Sequence, residues 1–274
     1  MRILVTGATG TVGGALATQL AETHHEIVAL TRDVNRADGL PASVEWAEGD
    51  FRDPERLRNA LSGVDRMYLF SDAATVHTVV SAAADCGLDR LVVLTSPVDG
   101  TAGNPVKEAV RASGIDWTFV EPGPFAMNAR DWWSYPIRHF GAVRWVYPKA
   151  RIAPVHEADV ADVVATVLLE DGHTGREYTI SGPESLTQQE QVAVIGEVLG
   201  KEIPFQEISP EEGKELLMSH GVPAEIADWV VATLAQHVDA PSVVDDPAER
   251  ITGRPGRTFA QWVAEHADDF RPGP

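Results

Sequence analysis

Over residues 1–125 the chain alternates short apolar runs with segments whose apolar positions recur at helical spacing. "RILVT", "EIVALT", "VEWAEG", "DRMYLF", "DRLVVLT" and "DWTFVE" are rich in Val, Ile, Leu and aromatic residues and read as six strands. Amphipathic segments at 11–22, 54–61, 74–86 and 104–113 fall between most of them and predict helices. Apolar strands alternating with helices predict a parallel sheet covered on both faces. Right-handed crossovers then make it a doubly wound α/β sheet, the Rossmann fold.

After residue 125 the pattern breaks. Residues 126–150 hold Trp132, Trp133, Tyr135, Trp145 and Tyr147 in a proline-punctuated stretch read as irregular. The alternation resumes over 151–181, with "RIAPV", a helix near 157–169 and "EYTI". From 182 to 274 helical patterns dominate, and a smaller C-terminal substrate lobe leaning on the sheet edge is expected. "TQQE" at 187–190 and "TFAQ" at 258–261 have the spacing of capping boxes, in which two side chains satisfy reciprocal backbone donors.

Composition narrows the class. In 274 residues, 44% hydrophobic and 23% charged content fit a water-soluble globular chain. No run of 18 apolar residues marks a membrane span, and "RILVTG" begins without a leader-like cleavage pattern. The single cysteine, Cys86, has no intramolecular partner and reads as a packed thiol, so a cytoplasmic setting is expected. A net charge of −19 without a Lys/Arg cluster argues against nucleic acid as a partner, because phosphates need a cationic face.

"VTGATGTVGG" places Gly7, Gly10 and Gly13 between the first strand and the first helix. Glycines there permit a tight turn and let backbone N–H groups approach a pyrophosphate at the helix N-terminus. Thr9, Thr11 and Val12 complete the expected loop contacts. At the end of the second strand, "ALTRD" offers Arg32 for a 2′-phosphate, with Asp33 the competing ribose partner; NADPH is preferred and NADH remains open. Asp50 and Phe51 in "GDF" are expected near the adenine. Phe70, Ser71, Thr95, Pro122 and Gly123, at the following strand ends, complete the cofactor set.

"VTGATGTVG", "GDFRDPERL", "RASGIDWTFVEPGPFAMN", "HEADVADVVA", "YTISGPESLT" and "ITGRPGRTFAQWVAEHADDF" follow one another in the order of a known family. On these motifs the chain resembles the NmrA-like branch of the atypical short-chain dehydrogenase/reductases over nearly its whole length. It looks most like the reductases related to ergot-alkaloid biosynthesis. The resemblance implies NAD(P)H on the glycine loop and a small hydrophobic substrate between the sheet edge and the C-terminal lobe. It also implies an arginine before "PG", where this chain has Glu121. Some family members act instead as redox sensors without turnover.

Ketone-reducing relatives often use a Tyr-x-x-x-Lys pair. Four residues after Tyr68, Tyr135, Tyr147 and Tyr178 stand Asp72, His139, Arg151 and Gly182, so the chain contains no such pair. Related reductases without the tyrosine place a Lys or His at a position that falls near Gly103; the nearest ionisable side chain is Lys107. A lysine there is expected to orient the nicotinamide ribose or, if burial lowers its pKa, to donate a proton. Ser96 and Glu121 are the other catalytic candidates. Phe125, Trp132, Trp133 and Tyr135 are the expected substrate wall, since aromatics over a cofactor form a slot for planar compounds. "HEADV" at 156–160 has no second histidine at helical spacing, and no metal is expected. The leading expectation is an NADPH-dependent reductase of a planar or polycyclic ketone, quinone, enone or imine. The alternative is a dinucleotide-sensing regulator that binds a protein partner.

Overall fold

The computed structural model describes residues 1–96, 104–244 and 247–272; Pro97 and Gly103 lie outside them. In chain order the elements are β1 (Arg2–Val5), α1 (Thr11–Leu20), β2 (Glu26–Thr31), β3 (Glu45–Glu48), α2 (Pro54–Leu61), β4 (Arg66–Phe70), α3 (Val76–Asp85), β5 (Arg90–Leu94), α4 (Pro105–Ala112) and β6 (Asp116–Pro122). There follow α5 (Asn128–Phe140), β7 (Val143–Trp145), β8 (Arg151–Ile152), α6 (Glu157–Leu169), β9 (Arg176–Ile180), β10 (Leu186–Thr187) and α7 (Gln188–Leu199). The chain ends with β11 (Phe205–Glu207), α8 (Pro210–Ser219), α9 (Ala224–Asp239), α10 (Pro247–Thr252) and α11 (Phe259–Glu265).

Seven of the described strands form one parallel sheet in the order β3-β2-β1-β4-β5-β6-β9. The order reverses between β1 and β4, and in such sheets ligands bind beyond the carboxyl ends of the strands at that reversal. Leu4, Val28, Met67, Leu69, Leu91, Val93 and Phe119 project from the sheet into a core closed by residues of α2, α3 and α4. α6 packs against α1 and α10. Caps fix where these helices start. Asp53 accepts from the amides of Glu55 and Arg56 ahead of Pro54, and Asn104 accepts from those of Val106 and Lys107 ahead of Pro105.

The chain divides into two compact units. The first comprises 1–123, 157–180 and 247–254; the second comprises 124–156, 181–246 and 255–274. The aromatic stretch and the C-terminal segment therefore build one unit together, around Trp133, Trp145, Ile195, Trp262 and Phe270. Both capping boxes are formed, by Thr187 with Glu190 and by Thr258 with Gln261. Ser209 and Glu212 make a third, whose S-x-x-E spacing is equally visible in the sequence.

Two expectations about the second half need correction. Residues 128–140 are not irregular but form the 13-residue helix α5, with Pro136 inside it. Proline lacks the amide that the helix would use, at a cost of about 3 kcal/mol. Ala129, Trp133 and Ile137 recur every fourth residue and are all buried. Burial of large apolar side chains, worth roughly 1.5–3 kcal/mol each, offsets that loss. "RIAPV" gives only the two-residue β8, paired antiparallel with β10 rather than added to the large sheet. Pro154, in the same run, has no amide to extend the ladder.

Candidate functional site

The glycine loop runs from the end of β1 to the start of α1. Gly7 has φ +61° and its carbonyl accepts from the Gly10 amide at 2.8 Å, closing the turn. A side chain at Gly13 would place its Cβ 2.3 Å from the Gly7 carbonyl oxygen and 2.8 Å from that of Thr6. α1 thus lies against the loop more closely than any other residue would permit. Gly7, Thr9, Gly10 and Thr11 are exposed, whereas Val12 and Gly13 are buried against the sheet. Gly10 caps α1 without a side-chain bond, and no acid occupies the first turn. The helix therefore presents uncapped amides and a positive dipole end toward the exposed loop. These features fit a dinucleotide pyrophosphate.

Neighbouring strand ends complete this edge. Thr6 is fully buried; its hydroxyl accepts from the Phe70 amide at 2.9 Å and ties the end of β4 to that of β1. Phe70 is 59% exposed and lies beside Gly7, a large aromatic left open at the loop. Ser71 shares a 3.1 Å hydrogen bond with Thr75, and Asp72 accepts from the amides of Ala74 and Thr75 at the start of α3. The Thr75 hydroxyl, followed by those amides, holds the Asp72 carboxyl below the usual carboxylate range. Thr95 at the end of β5 accepts from Asn104 at 3.1 Å, so the cap of α4 also braces that strand end. Ser96 is exposed. After β6, the Gly123 amide donates to Ile180 at 2.8 Å. Thr6 and Asn104 escaped the reading of the sequence. Asn104 was legible, as an Asn-Pro pair at a helix start; Thr6 was not, because its partner is distant in the chain.

At the end of β2, Asp33 is occupied locally. Its carboxylate accepts from the backbone and side-chain amides of Asn35, at 3.0 and 3.2 Å. Arg32 is exposed and makes no ion pair among the described residues. The cation is therefore available to a phosphate while the competing acid is engaged in a turn. Replacing Arg32 with Ala is expected to weaken NADPH binding by about 10- to 100-fold, as charge-assisted hydrogen bonds contribute about 1.5–3 kcal/mol. NADH affinity should stay within about twofold, and titration of protein fluorescence with each cofactor checks both. On the expected adenine side, Asp50 accepts from the Arg52 amide at 2.9 Å, and the half-buried Phe51 packs on the sheet core.

Lys107 and Glu121 meet inside the first unit. Lys107 is 3% exposed and Glu121 5%, with Nζ 2.5 Å from the carboxylate. Glu177 on β9 accepts from the same ammonium at 3.2 Å and also pairs with Arg111. Burial pushes the lysine pKa down, but its bonds to Glu121 and Glu177 outweigh that and the net direction is upward. This corrects the expectation of a proton donor activated by burial: two carboxylates hold Lys107 as a firmly protonated ammonium. Glu177 is driven below its ordinary value, because bonds from Arg111 and Lys107 outweigh its own desolvation.

The four residues of the expected substrate wall belong to the second unit and do not share one surface. Trp133 is 1% exposed and packs edge-on against Trp145, with ring centroids 6.3 Å apart, so it is a core residue. Trp132 is half-buried and stacked on Trp145. Phe125 is half-buried, its backbone bridged to Val155. Tyr135 is exposed and packs on His139. Helical geometry explains the split, since positions 132 and 135 lie along one side of α5 while 133 points to the core.

The NAD(P)H-binding family matches residues 7–171. The (4-alkanoyl-5-oxo-2,5-dihydrofuran-3-yl)methyl phosphate reductase of Streptomyces griseus is 36% identical, over 98% of this chain and 99% of its own length. An NAD(P)H azoreductase of Xenophilus azovorans is 30% identical over 98% and 99%. Agroclavine dehydrogenase of Claviceps fusiformis is also similar, at 25% identity over 97% of each chain. Among solved structures, the quinone oxidoreductase QOR2 of Escherichia coli in complex with NADPH superposes with a TM-score of 0.82, at 25% identity over 97% of this chain and 99% of that one. A sheet reversing at the glycine loop and an open, uncapped helix start agree with these likenesses: the chain belongs to the NAD(P)H-binding family and is an oxidoreductase.

Proposed function

We propose that the protein is an NADPH-dependent reductase of conjugated, electron-poor acceptors, such as an acyl-substituted enone, a quinone or an azo or imine bond. NADPH, when bound, supplies a hydride. The observation that carries the reading is the want of an acid: the chain has no Tyr-x-x-x-Lys, and Lys107 is held protonated between carboxylates. An isolated ketone becomes a strongly basic alkoxide on reduction and benefits from a proton donor in place. A conjugated acceptor spreads the same charge over a carbonyl or an aryl ring and takes its proton from water, and an imine that binds as its iminium becomes a neutral amine on taking the hydride. The relatives support this choice, because a 4-alkanoyl-5-oxo-2,5-dihydrofuran, an azo compound and a quinone are all acceptors of that kind.

The protein's share of the work is then binding and orientation. The glycine loop and α1 seat the pyrophosphate, Arg32 the 2′-phosphate, and Phe70, Thr95, Pro122 and Gly123 border the reactive end. Among the described residues no helix is long and apolar enough to cross a membrane, and a small molecule is the partner this edge suits.

The purified protein should oxidise NADPH, followed by loss of its absorbance, with a 2-acylbutenolide, a benzoquinone or an azo dye. Saturated ketones should give rates at least about 100-fold lower, since general acid catalysis is worth about that factor or more. Equal rates on saturated ketones would refute the conjugated-acceptor reading. Binding of NADPH and NADP+ with different affinity, and turnover of no acceptor, would replace it with a dinucleotide sensor.

A further inference from the structure

The Lys107–Glu121 pair has no part in the hydride acceptor's chemistry as described, yet it sits under the strand end that carries Pro122 and Gly123. Three elements converge on it. Lys107 stands in the first turn of α4, where its amide donates to Asn104, and the Asn104 side chain also reaches Thr95. Glu121 is the last acid of β6, directly before Pro122. Glu177 lies on β9, opposite Phe119 in the β6–β9 ladder, and Glu121 is opposite Thr179. The Lys107 ammonium lies 5.8 Å from the centre of the Phe119 ring, and the Arg111 guanidinium covers Trp117 and Phe119 at 5.6 and 5.4 Å.

Two charges removed from water hold each other strongly only while both are present. Loss of Lys107 leaves Glu121 buried and uncompensated, and loss of Glu121 leaves the buried ammonium one carboxylate, Glu177, of these two. Such a pair rigidifies the backbone segments that carry it, here the end of β6 and the start of α4.

We infer that Lys107 and Glu121 are positioning residues that act as one unit. They fix the end of β6 against the first turn of α4, and so set Pro122, Gly123 and Thr95 at the cofactor edge, while the lysine transfers no proton. The inference rests on the reductase reading for its activity readout and on cofactor binding for a second, independent one. The upward direction of the Lys107 pKa agrees with it.

Four variants test it: Lys107→Met, Glu121→Gln, the double variant carrying both, and Lys107→Arg. Arginine keeps the cation but cannot give up its proton. For each, kcat/KM with the best acceptor, its pH profile, and NADPH affinity by fluorescence titration are measured at 20 °C. Each neutralising single variant should lose about 100-fold in kcat/KM, the scale expected for a misplacement near 1 Å. The double variant should lose no more than the worse single, as for residues coupled in one unit. Lys107→Arg should keep activity within about tenfold of the wild type, with the alkaline limb of the pH profile unmoved. An inactive Lys107→Arg beside a nearly normal Glu121→Gln would overturn the inference and restore lysine as the acid. Losses that multiply in the double variant would overturn it too. If Lys107→Met does not fold, Lys107→Arg and Glu121→Gln decide alone by the same contrast. If the wild type turns over no acceptor, the reductase reading fails, while coupled or independent changes in NADPH affinity across the same variants still decide the pair.

Discussion

Gly13→Ala is expected to abolish NADPH binding at micromolar concentrations while Gly14→Ala, one residue on, changes it little. The Cβ of an alanine at 13 would lie 2.3 and 2.7 Å from the carbonyl oxygen and carbon of Gly7 and 2.8 Å from the Thr6 oxygen. All three are backbone atoms, so no side chain can rotate aside, and α1 must move off the loop by about 1 Å to restore ordinary contact. Alanine would otherwise favour the helix by up to about 1 kcal/mol over glycine. Overpacking of this kind typically costs about 1–3 kcal/mol, so a modest net loss of stability is expected. The effect on binding is larger, because the moved helix carries the amides that seat the pyrophosphate in the proposed function. A misplacement near 1 Å can cost about 100-fold. At Gly14 the nearest atom to an added Cβ is the Ala8 oxygen at 3.1 Å, which a shift of a few tenths relieves. Fluorescence titration with NADPH and thermal melts of both variants check the contrast. Equal affinities would sever the glycine packing from cofactor binding.

Arg90→Met should destabilise the fold by about 2–4 kcal/mol and leave NADPH affinity unchanged. Arg90 begins β5, at the end of the sheet away from the glycine loop, and is only 8% exposed. Its guanidinium donates to the Val167 carbonyl at 3.3 Å, to that of Glu170, and to Asp171 at 2.9 Å. Arg66 donates to the Leu168 carbonyl beside it. α6 has no basic residue in its own last turn, so these two strand residues supply the donors and the positive charge that its C-terminus needs. Hydrogen bonds to charged groups contribute about 1.5–3 kcal/mol each and do not add fully. Methionine preserves the apolar stem and orphans the carbonyls. For a chain of this size the change corresponds to a fall in Tm of roughly 5–15 °C, measurable by calorimetry. A loss below about 1 kcal/mol, the range of an exposed pair, would show that the helix end does not depend on Arg90.

The first unit was legible because its signals are local. Val, Ile and Leu runs, the helical spacing between them and the Gly7–Gly13 spacing each act within a few residues of themselves. The strands and helices read from them differ from those observed by only a residue or two at most ends. The second unit was less legible. Pro136 masked the 129, 133 and 137 periodicity of α5, and the strand run at 151–155 pairs where only distant residues 186 and 187 allow it.

The site divides along the same line. Sequence alone determined the glycine cradle, the NAD(P)H requirement and the want of a tyrosine–lysine pair, since these depend on residue type and short spacing. Tertiary structure decided what charge and aromaticity mean. Asp33 is taken up by a turn, Trp133 by a core, and Lys107 by two carboxylates that stand 14 and 70 positions away in the chain. A side chain's composition states what it can do. Its partners and its burial set the pKa and the exposure that decide whether it does, and for Lys107 those partners come from two strands that only the folded sheet brings together.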